Sequence, residues 1–440
     1  MSGFLEFLSG MLGARSRWAD GAVVRAQGLL RSGDSSGVVI GAWKGRPMID
    51  TSMKPVVVVG PARSGKGTSV LVPSLLTWRQ SAVVLDVNGE LGTITENWRR
   101  TEAHNQIRRV DFAGESSPDT YNFLDAIRRD TSHELADIEA LAASLLPVGD
   151  KDGELVGHAR ALLTLCIIAK RPDGSAGLSD VFELLRRHDG PYATAFSYRE
   201  VALGTELCQA AESLSYEFLK LPYDEAITAL GMVAAALCPF AQPEIAKNTK
   251  RSSFKITELR GHGTPVTLYL TVKHWEIGLL QPLINAFLSQ VARYTVQAEA
   301  QSRASRLLLL LDACGSLGHL DFMEEPLARL SERGVKPLIA VQNISANSTE
   351  CLAWKQGEIR VVLPLNRPTT AEIIANEIRA RVDHGSTETE PRPVTPEELL
   401  RMRRHDAVIL GLAKSPIRAG LRGFYEDPKF RARTSMATAH

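Results

Sequence analysis

Six short, unbroken apolar runs constrain this chain more than any other feature: PVVVVG at 55–60, SAVVLD at 81–86, TLYLTV at 267–272, RLLLLLD at 306–312, PLIAVQ at 337–342 and RVVLPL at 360–365. A strand with one wet face alternates apolar and polar residues, whereas a run apolar throughout needs cover on both faces. The chain is therefore expected to form a parallel sheet covered by helices.

Between the early and late runs, from about 130 to 253, the texture becomes helical. DTSHELADIEALAASLL opens with Thr131 and Glu134 at capping-box spacing and sets Leu135, Ile138, Leu141 and Leu145 near helical spacing. VGHARALLTLCIIAK, VFELLRRH and DEAITALGMVAAALC continue the pattern. Near the C-terminus, VTPEELLRM presents Thr395 as N-cap, Pro396 at the first helical position and Glu398 completing a box. DAVILGLAKSPIRAG then reads as a last strand and turn, and the stretch 377–394 as a mobile surface loop.

VVVVGPARSGKGTSVLVPSLL holds Gly60, four residues, then Gly65 and Lys66, placed after a strand and before a helical pattern. Such a loop turns backbone amides toward phosphate oxygens, the helix N-terminus adds partial positive charge, and the lysine reaches the outer phosphates. Gly60, Pro61, Ala62, Arg63, Ser64, Gly65, Lys66, Gly67 and Thr68 are thus the expected phosphate-binding residues. Gly67 stands where a magnesium-binding hydroxyl usually follows the lysine, leaving that role to Thr68 one place later.

Asp312 ends an apolar run far downstream, where a strand-tip carboxylate holds magnesium through water. The next position, which should orient or activate the attacking water, is Ala313; loss of a general base typically costs about 10²- to 10⁴-fold in rate. Glu90 in LDVNGEL is the first candidate substitute, with Glu324 and Glu325 in DFMEEPL behind it. Gln342 is placed to sense a terminal phosphate, or to satisfy a loop backbone. Arg329 and Arg333 are candidates for a finger acting on a neighbouring subunit, or solvated helix charges.

The chain has 440 residues, is 44% hydrophobic and 23% charged, and carries a net charge of +1, a composition that excludes wholesale disorder and leaves nucleic acid open as a partner. Its five cysteines are scattered without a CxxC pair, giving neither a disulfide framework nor a zinc cage, so a reducing cytoplasm fits. A membrane span needs about 20 mainly apolar residues. The longest uncharged candidate, 226–241, is shorter, contains Pro239 and reads as a buried helix. At the N-terminus, Phe4, Leu5, Leu8, Met11 and Leu12 can share one face of a short helix.

With these motifs in view the chain resembles the TraG/TraD-like coupling proteins of conjugation and type IV secretion. RSRWAD, GPARSGKG, VPSLLTW, DVNGEL, YNFLD, LDACGSLGHL, SERGVKPLIAVQNIS and SPIRAGLRGFYEDPKF resemble the motifs of that family, in its order and almost end to end. The resemblance implies an α/β fold, a RecA-like P-loop NTPase domain with an inserted all-α domain. Its expected bounds here are an N-terminal segment at 1–54 without a transmembrane helix, a nucleotide-binding domain at 55–130 and 254–440, and the insertion at 131–253.

It further implies ATP and magnesium as cofactors, with Lys66 on phosphates, Asp312 and Thr68 at the metal, and Gln342 as sensor. As partners it implies copies of the chain in a ring, expected to be a hexamer, single-stranded DNA with its relaxosome or a secreted protein, and inner-membrane channel components. The expected location is the bacterial cytoplasm, peripheral at the inner membrane. The family's catalytic Glu falls on Ala313 and its Lys on Asn88, and its N-terminal spans have no counterpart in this sequence. Three readings follow: a translocation motor, a recruiting component that binds nucleotide without turnover, and, remotely, a nucleoside monophosphate kinase.

Overall fold

The structure is a computed structural model that describes residues 18–30, 35–147, 153–171, 174–186, 205–261, 263–297, 306–312, 314–318, 320–323, 326–346, 348–382 and 394–435. Its strands are β1 (Val38–Trp43), β2 (Arg46–Asp50), β3 (Val56–Val59), β4 (Ser81–Val87), β5 (Gln106–Val110), β6 (Val266–Val272), β7 (Leu307–Leu311), β8 (Val335–Val341), β9 (Ile359–Val362), β10 (Asp406–Leu410) and β11 (Ile417–Gly420). They form one sheet in the order β2-β1-β11-β10-β9-β3-β8-β7-β4-β6-β5.

The stretch from β9 to β5 is parallel throughout, and all six apolar runs lie in it. Both faces are covered. Val57, Val59, Val83 and Leu85 pack into one core with Leu141, Leu283 and Phe287, while Val56, Val58, Ala82 and Val84 pack into the other with Leu75, Leu91 and Trp98. Val56 to Val59 are wholly buried, each worth about 1.5–3 kcal/mol over exposure.

The antiparallel wing was not legible as strands, apart from β10. The hairpin of β1 and β2 turns at Lys44 and Gly45, both at positive φ, a two-residue connection whose sequence lacks the usual Asn-Gly signal. The SPIRAG stretch, expected as a turn, supplies β11, which pairs with both β10 and β1. Lys336 of β8 forms a buried ion pair with Asp50 at the end of β2, tying this wing to the parallel core.

Between β5 and β6 every described element is helical. The helix Gly153–Lys170 packs against helices Glu134–Leu145, Leu178–Arg186, Thr205–Leu219 and Tyr223–Leu237. Where the chain leaves and re-enters, the two crossings are stitched together: Tyr121 N–H donates to Asn248 O (3.0 Å), Asn122 N–H to Ser252 Oγ (2.9 Å) and Thr120 N–H to Ser253 Oγ (3.1 Å). Tyr121 also sits among Phe123, Phe254 and Phe287, with ring centroids 5.0–5.6 Å from its own. YNFLD is thus the neck of the helical region.

Several expectations need correction. Thr131 and Glu134 form no capping box; the N-cap is His133, and the Glu134 carboxylate instead accepts from Asp130 N–H (2.7 Å) and pairs with Arg171. The box of Thr395 and Glu398 does form, with both reciprocal bonds. Residues 377–382 belong to the helix Pro368–Val382, leaving 383–393 of the expected loop outside the described residues.

The helix read as buried is buried on one side only: Ala226, Ala229 and Val233 face the core, whereas Tyr223 and Ile227 are 72% and 43% exposed. The stretch Tyr223–Ala241 is, among the described residues, the one helical stretch long and apolar enough to cross a membrane, and a third of it is buried inside the protein. The proposed N-terminal face from Phe4 to Leu12 lies outside the described residues.

Candidate functional site

In an open parallel sheet, ligands bind beyond the carboxyl ends of the strands. β8 lies between β3 and β7, with Val59 level with Val341 and Leu311 level with Ile339, so the three strand tips deliver Gly60, Gln342 and Asp312 to one edge. There a cavity of about 520 Å³ is lined by Ala62 to Ser69, Val87, Asn88, Glu90, His274, Asp312 and Gln342, and by Arg404, His405, Leu421, Gly423, Tyr425 and Glu426.

The loop after β3 is shaped by its glycines. A Cβ at Gly60 would lie 2.5 Å from Ser64 Oγ and 2.9 Å from Leu363 Cβ, and Gly65 has φ +100°. Lys66 Nζ donates to Gly60 O and, at 2.9 Å, to Pro61 O. Burial lowers the pKa of Lys66 to about 8, partly opposed by the charge of Asp312, which the sheet brings within electrostatic reach. Ser64 Oγ is buried without a hydrogen-bond partner. An acceptor such as a phosphate oxygen would satisfy it, and a lysine, glycine-bent amides and an orphan hydroxyl together suit that ligand.

For a divalent cation the candidate oxygens are those of Asp312 and Thr68, hard donors of the kind magnesium takes beside phosphate and water. A Cβ at Gly67 would meet nothing within 4 Å, so the missing hydroxyl there reflects no steric demand. Among the described residues no three His, Cys, Asp or Glu side chains form a metal cluster.

Asp86, at the tip of β4, was missed by the sequence reading, although SAVVLD ends in an acid just as RLLLLLD does. It is fully buried and accepts from Leu91 N–H (2.9 Å) and Gly92 N–H (2.7 Å), capping the helix Glu90–Thr101. Burial raises its pKa to about 6 against those two bonds, and the charges of Asp312 and Glu90 push the same way. Asp86 thus positions Glu90, which is exposed at the cavity wall. Asn88 has φ +64°, a conformation Asn tolerates, and its Oδ1 accepts from His274 N–H (3.0 Å), joining the tips of β4 and β6.

Arg329 and Arg333 are exposed and precede β8, whose far end carries Gln342, so neither reaches the cavity of its own chain. Ala313, Glu324 and Glu325 lie outside the described residues.

Also unforeseen is the contribution of residues 404–426. The turn after the phosphate loop is a π-helix, Gly67–Leu71, in which Val72 N–H donates to Gly67 O. The next donor in that register would be Pro73, which has no N–H, and the carbonyl of Thr68 accepts from Phe424 N–H instead, at 2.9 Å. A proline in VPSLL therefore leaves open the carbonyl on which the C-terminal segment docks.

Known proteins resemble this chain in sequence and fold. A conjugal transfer protein TraG from Escherichia coli is 28% identical over 92% of this chain and 68% of its own length. A VirD4 protein from Rhizobium radiobacter is 25% identical over 75% of this chain, which spans about half (49%) of that relative. Among solved structures, the plasmid coupling protein TrwB in complex with a non-hydrolysable ATP analogue superposes with a TM-score of 0.69 at 19% identity, covering 92% of this chain and 93% of that one. The fold is therefore α/β, a RecA-like P-loop domain with a helical domain. The model of the family described as type IV secretory system conjugative DNA transfer matches residues 17–350, most of the chain, and the protein is a member of that family.

Proposed function

We propose that this coupling protein binds ATP with magnesium in the cavity at the tips of β3, β8 and β7. The observation that carries this reading is the convergence of Lys66, the unsatisfied Ser64 hydroxyl and Asp312 around one cavity. Support also comes from TrwB, solved in complex with ADP and Mg²⁺. Backbone amides from Ala62 to Gly67 cradle phosphates, Lys66 neutralises the outer ones, Thr68 and Asp312 hold the metal directly or through water, and Gln342 contacts the terminal phosphate or its water. Magnesium, once bound, would neutralise charge developing on the phosphate oxygens.

Turnover is the open step of that chemistry. With Ala313 beside Asp312, Glu90 at the cavity wall is a carboxylate able to orient water, and we infer slow hydrolysis coupled to the handling of single-stranded DNA or a protein substrate. The wider setting is a ring of copies, a hexamer in this reading, at the cytoplasmic face of the bacterial inner membrane, feeding channel components. Ala313 favours a second reading, recruitment by nucleotide-bound protein without turnover.

Phosphate release from ATP, with and without single-stranded DNA, separates the two when wild type, Lys66→Ala, Glu90→Gln and Ala313→Glu are compared. Turnover in wild type that disappears in Lys66→Ala and Glu90→Gln supports the first. Turnover confined to Ala313→Glu sinks it and supports the second. Phosphoryl transfer to a nucleoside monophosphate, the kinase alternative, is not expected of a member of this family.

A further inference from the structure

We propose that the C-terminal segment Leu421–Glu426 forms the nucleobase end of the same cavity, with the ring of Tyr425 as the surface on which the base stacks. The inference rests on the phosphate-site reading above and extends it to residues outside the phosphate loop.

A nucleoside triphosphate has an anionic end and a flat apolar end, and the cavity offers both a phosphate loop and an exposed aromatic ring. The phosphate loop and the tips of β4, β7 and β8 line part of it, while Arg404, His405, Leu421, Gly423, Tyr425 and Glu426 add a wall from the far end of the chain. Its volume, about 520 Å³, lies within the range of sites for whole small ligands, roughly 300–1,000 Å³, so the loop alone does not account for it.

Tyr425 is unusual among the aromatic residues in being 53% exposed while lining a cavity. It makes a T-shaped contact with Phe424, with centroids 5.4 Å apart and rings 77° inclined. The ring is held rather than free. It lies over Gly423, where a Cβ would come within 2.7 Å of Tyr425 Cζ and 2.8 Å of Cε1. Gly423 N–H donates to Glu426 Oε2 (2.7 Å), and Arg422 donates to Gly45 O (2.7 Å) and Glu426 O (2.8 Å), closing the segment into a turn. Phe424 N–H then fixes that turn to Thr68 O, two residues beyond Lys66 of the loop. An exposed ring, pre-positioned at fixed distance from a phosphate loop, is what base stacking requires. Stacking on an aromatic face discriminates weakly between bases, so ATP and GTP should both use it.

The test is calorimetric binding of ATP, GTP and inorganic tripolyphosphate, each with Mg²⁺, to wild type, Tyr425→Ala, Tyr425→Phe, Gly423→Ala and Lys66→Ala. Tyr425→Ala should weaken ATP and GTP on the order of tenfold and leave tripolyphosphate unchanged, and Tyr425→Phe should keep wild-type affinity. Gly423→Ala, which leaves Tyr425 in the sequence but displaces its ring, should weaken both nucleotides in the same way. Unchanged ATP affinity in both Tyr425→Ala and Gly423→Ala overturns the proposal while leaving the phosphate site standing. Equal losses for ATP and tripolyphosphate would likewise overturn it, because the segment would then act through the loop. If Lys66→Ala binds ATP like wild type, or wild type binds neither ligand, the phosphate-site reading fails and takes this one with it.

Discussion

The phosphate end of the cavity comes mainly from one uninterrupted stretch, Gly60 to Thr68, set between a fully buried strand and a buried helix, whereas the other part of the lining, Arg404, His405 and residues of Leu421–Glu426, flanks the largely buried hairpin of β10 and β11 at the far end of the chain. Behind the first lies Arg99, wholly buried, donating to Leu75 O (2.9 Å), Trp78 O (2.6 Å) and Gln80 O (2.7 Å), and to Thr267 Oγ1 and Asn105 Oδ1. The second is tied to the loop by a backbone bond from Phe424 to Thr68. A site can therefore join a rigid end, specified locally, to an end specified by docking; the two should respond differently to perturbation.

The largest effect is expected at the rigid end. Arg99→Met would leave several buried carbonyl oxygens without a donor and should cost about 3–5 kcal/mol in a denaturant titration. A loss below 1 kcal/mol would show that the scaffold behind the loop is not what makes that end rigid.

Next comes the charge on Lys66. With its pKa depressed to about 8, the ammonium is already formed below that pH, and ATP affinity should be flat there. A bound phosphate raises the pKa, so above pH 8 binding takes up a proton and affinity falls, by at most about tenfold per pH unit. Calorimetry at pH 9 in two buffers of different ionisation enthalpy measures that uptake; none in wild type would show that Lys66 is already charged there before ATP binds and that burial does not depress its pKa.

The smallest effect addresses the docked end. Pro73→Ala restores an N–H able to compete for the carbonyl of Thr68 and should weaken ATP binding a few-fold, about 1 kcal/mol or less, with tripolyphosphate untouched. An equal loss for both ligands would mean that the two ends are not separable.

The same division explains what could be read in advance. The parallel core was legible because each strand is buried on both faces, so its own residues carry the signal, as Val56 to Val59 and Leu307 to Leu311 do. The phosphate loop was legible because its strand, glycines and lysine are consecutive. Asp86 escaped because an acid ending an apolar run was weighed in RLLLLLD and not in SAVVLD, although the strands are neighbours. β1, β2 and β11 escaped because they are short and antiparallel, and their pairing joins the two ends of the chain. Tyr425 lay in a motif, SPIRAGLRGFYEDPKF, that pointed to the family but not to the cavity; its place there depends on docking to a carbonyl left open by a proline hundreds of residues earlier.

The stitched neck at Tyr121 and Asn248 has a consequence for how such a chain can change. Because the outgoing and returning strands of backbone are fastened side by side, the sheet experiences everything between them as a single closed loop, whatever its length. Doubling that length adds only about 0.6 kcal/mol of closure entropy. Apart from Glu134–Leu145, which packs against the helix Ile277–Gln297 on the sheet, the helical region is in this sense a cassette: it can grow, shrink or be exchanged at little entropic cost to the sheet.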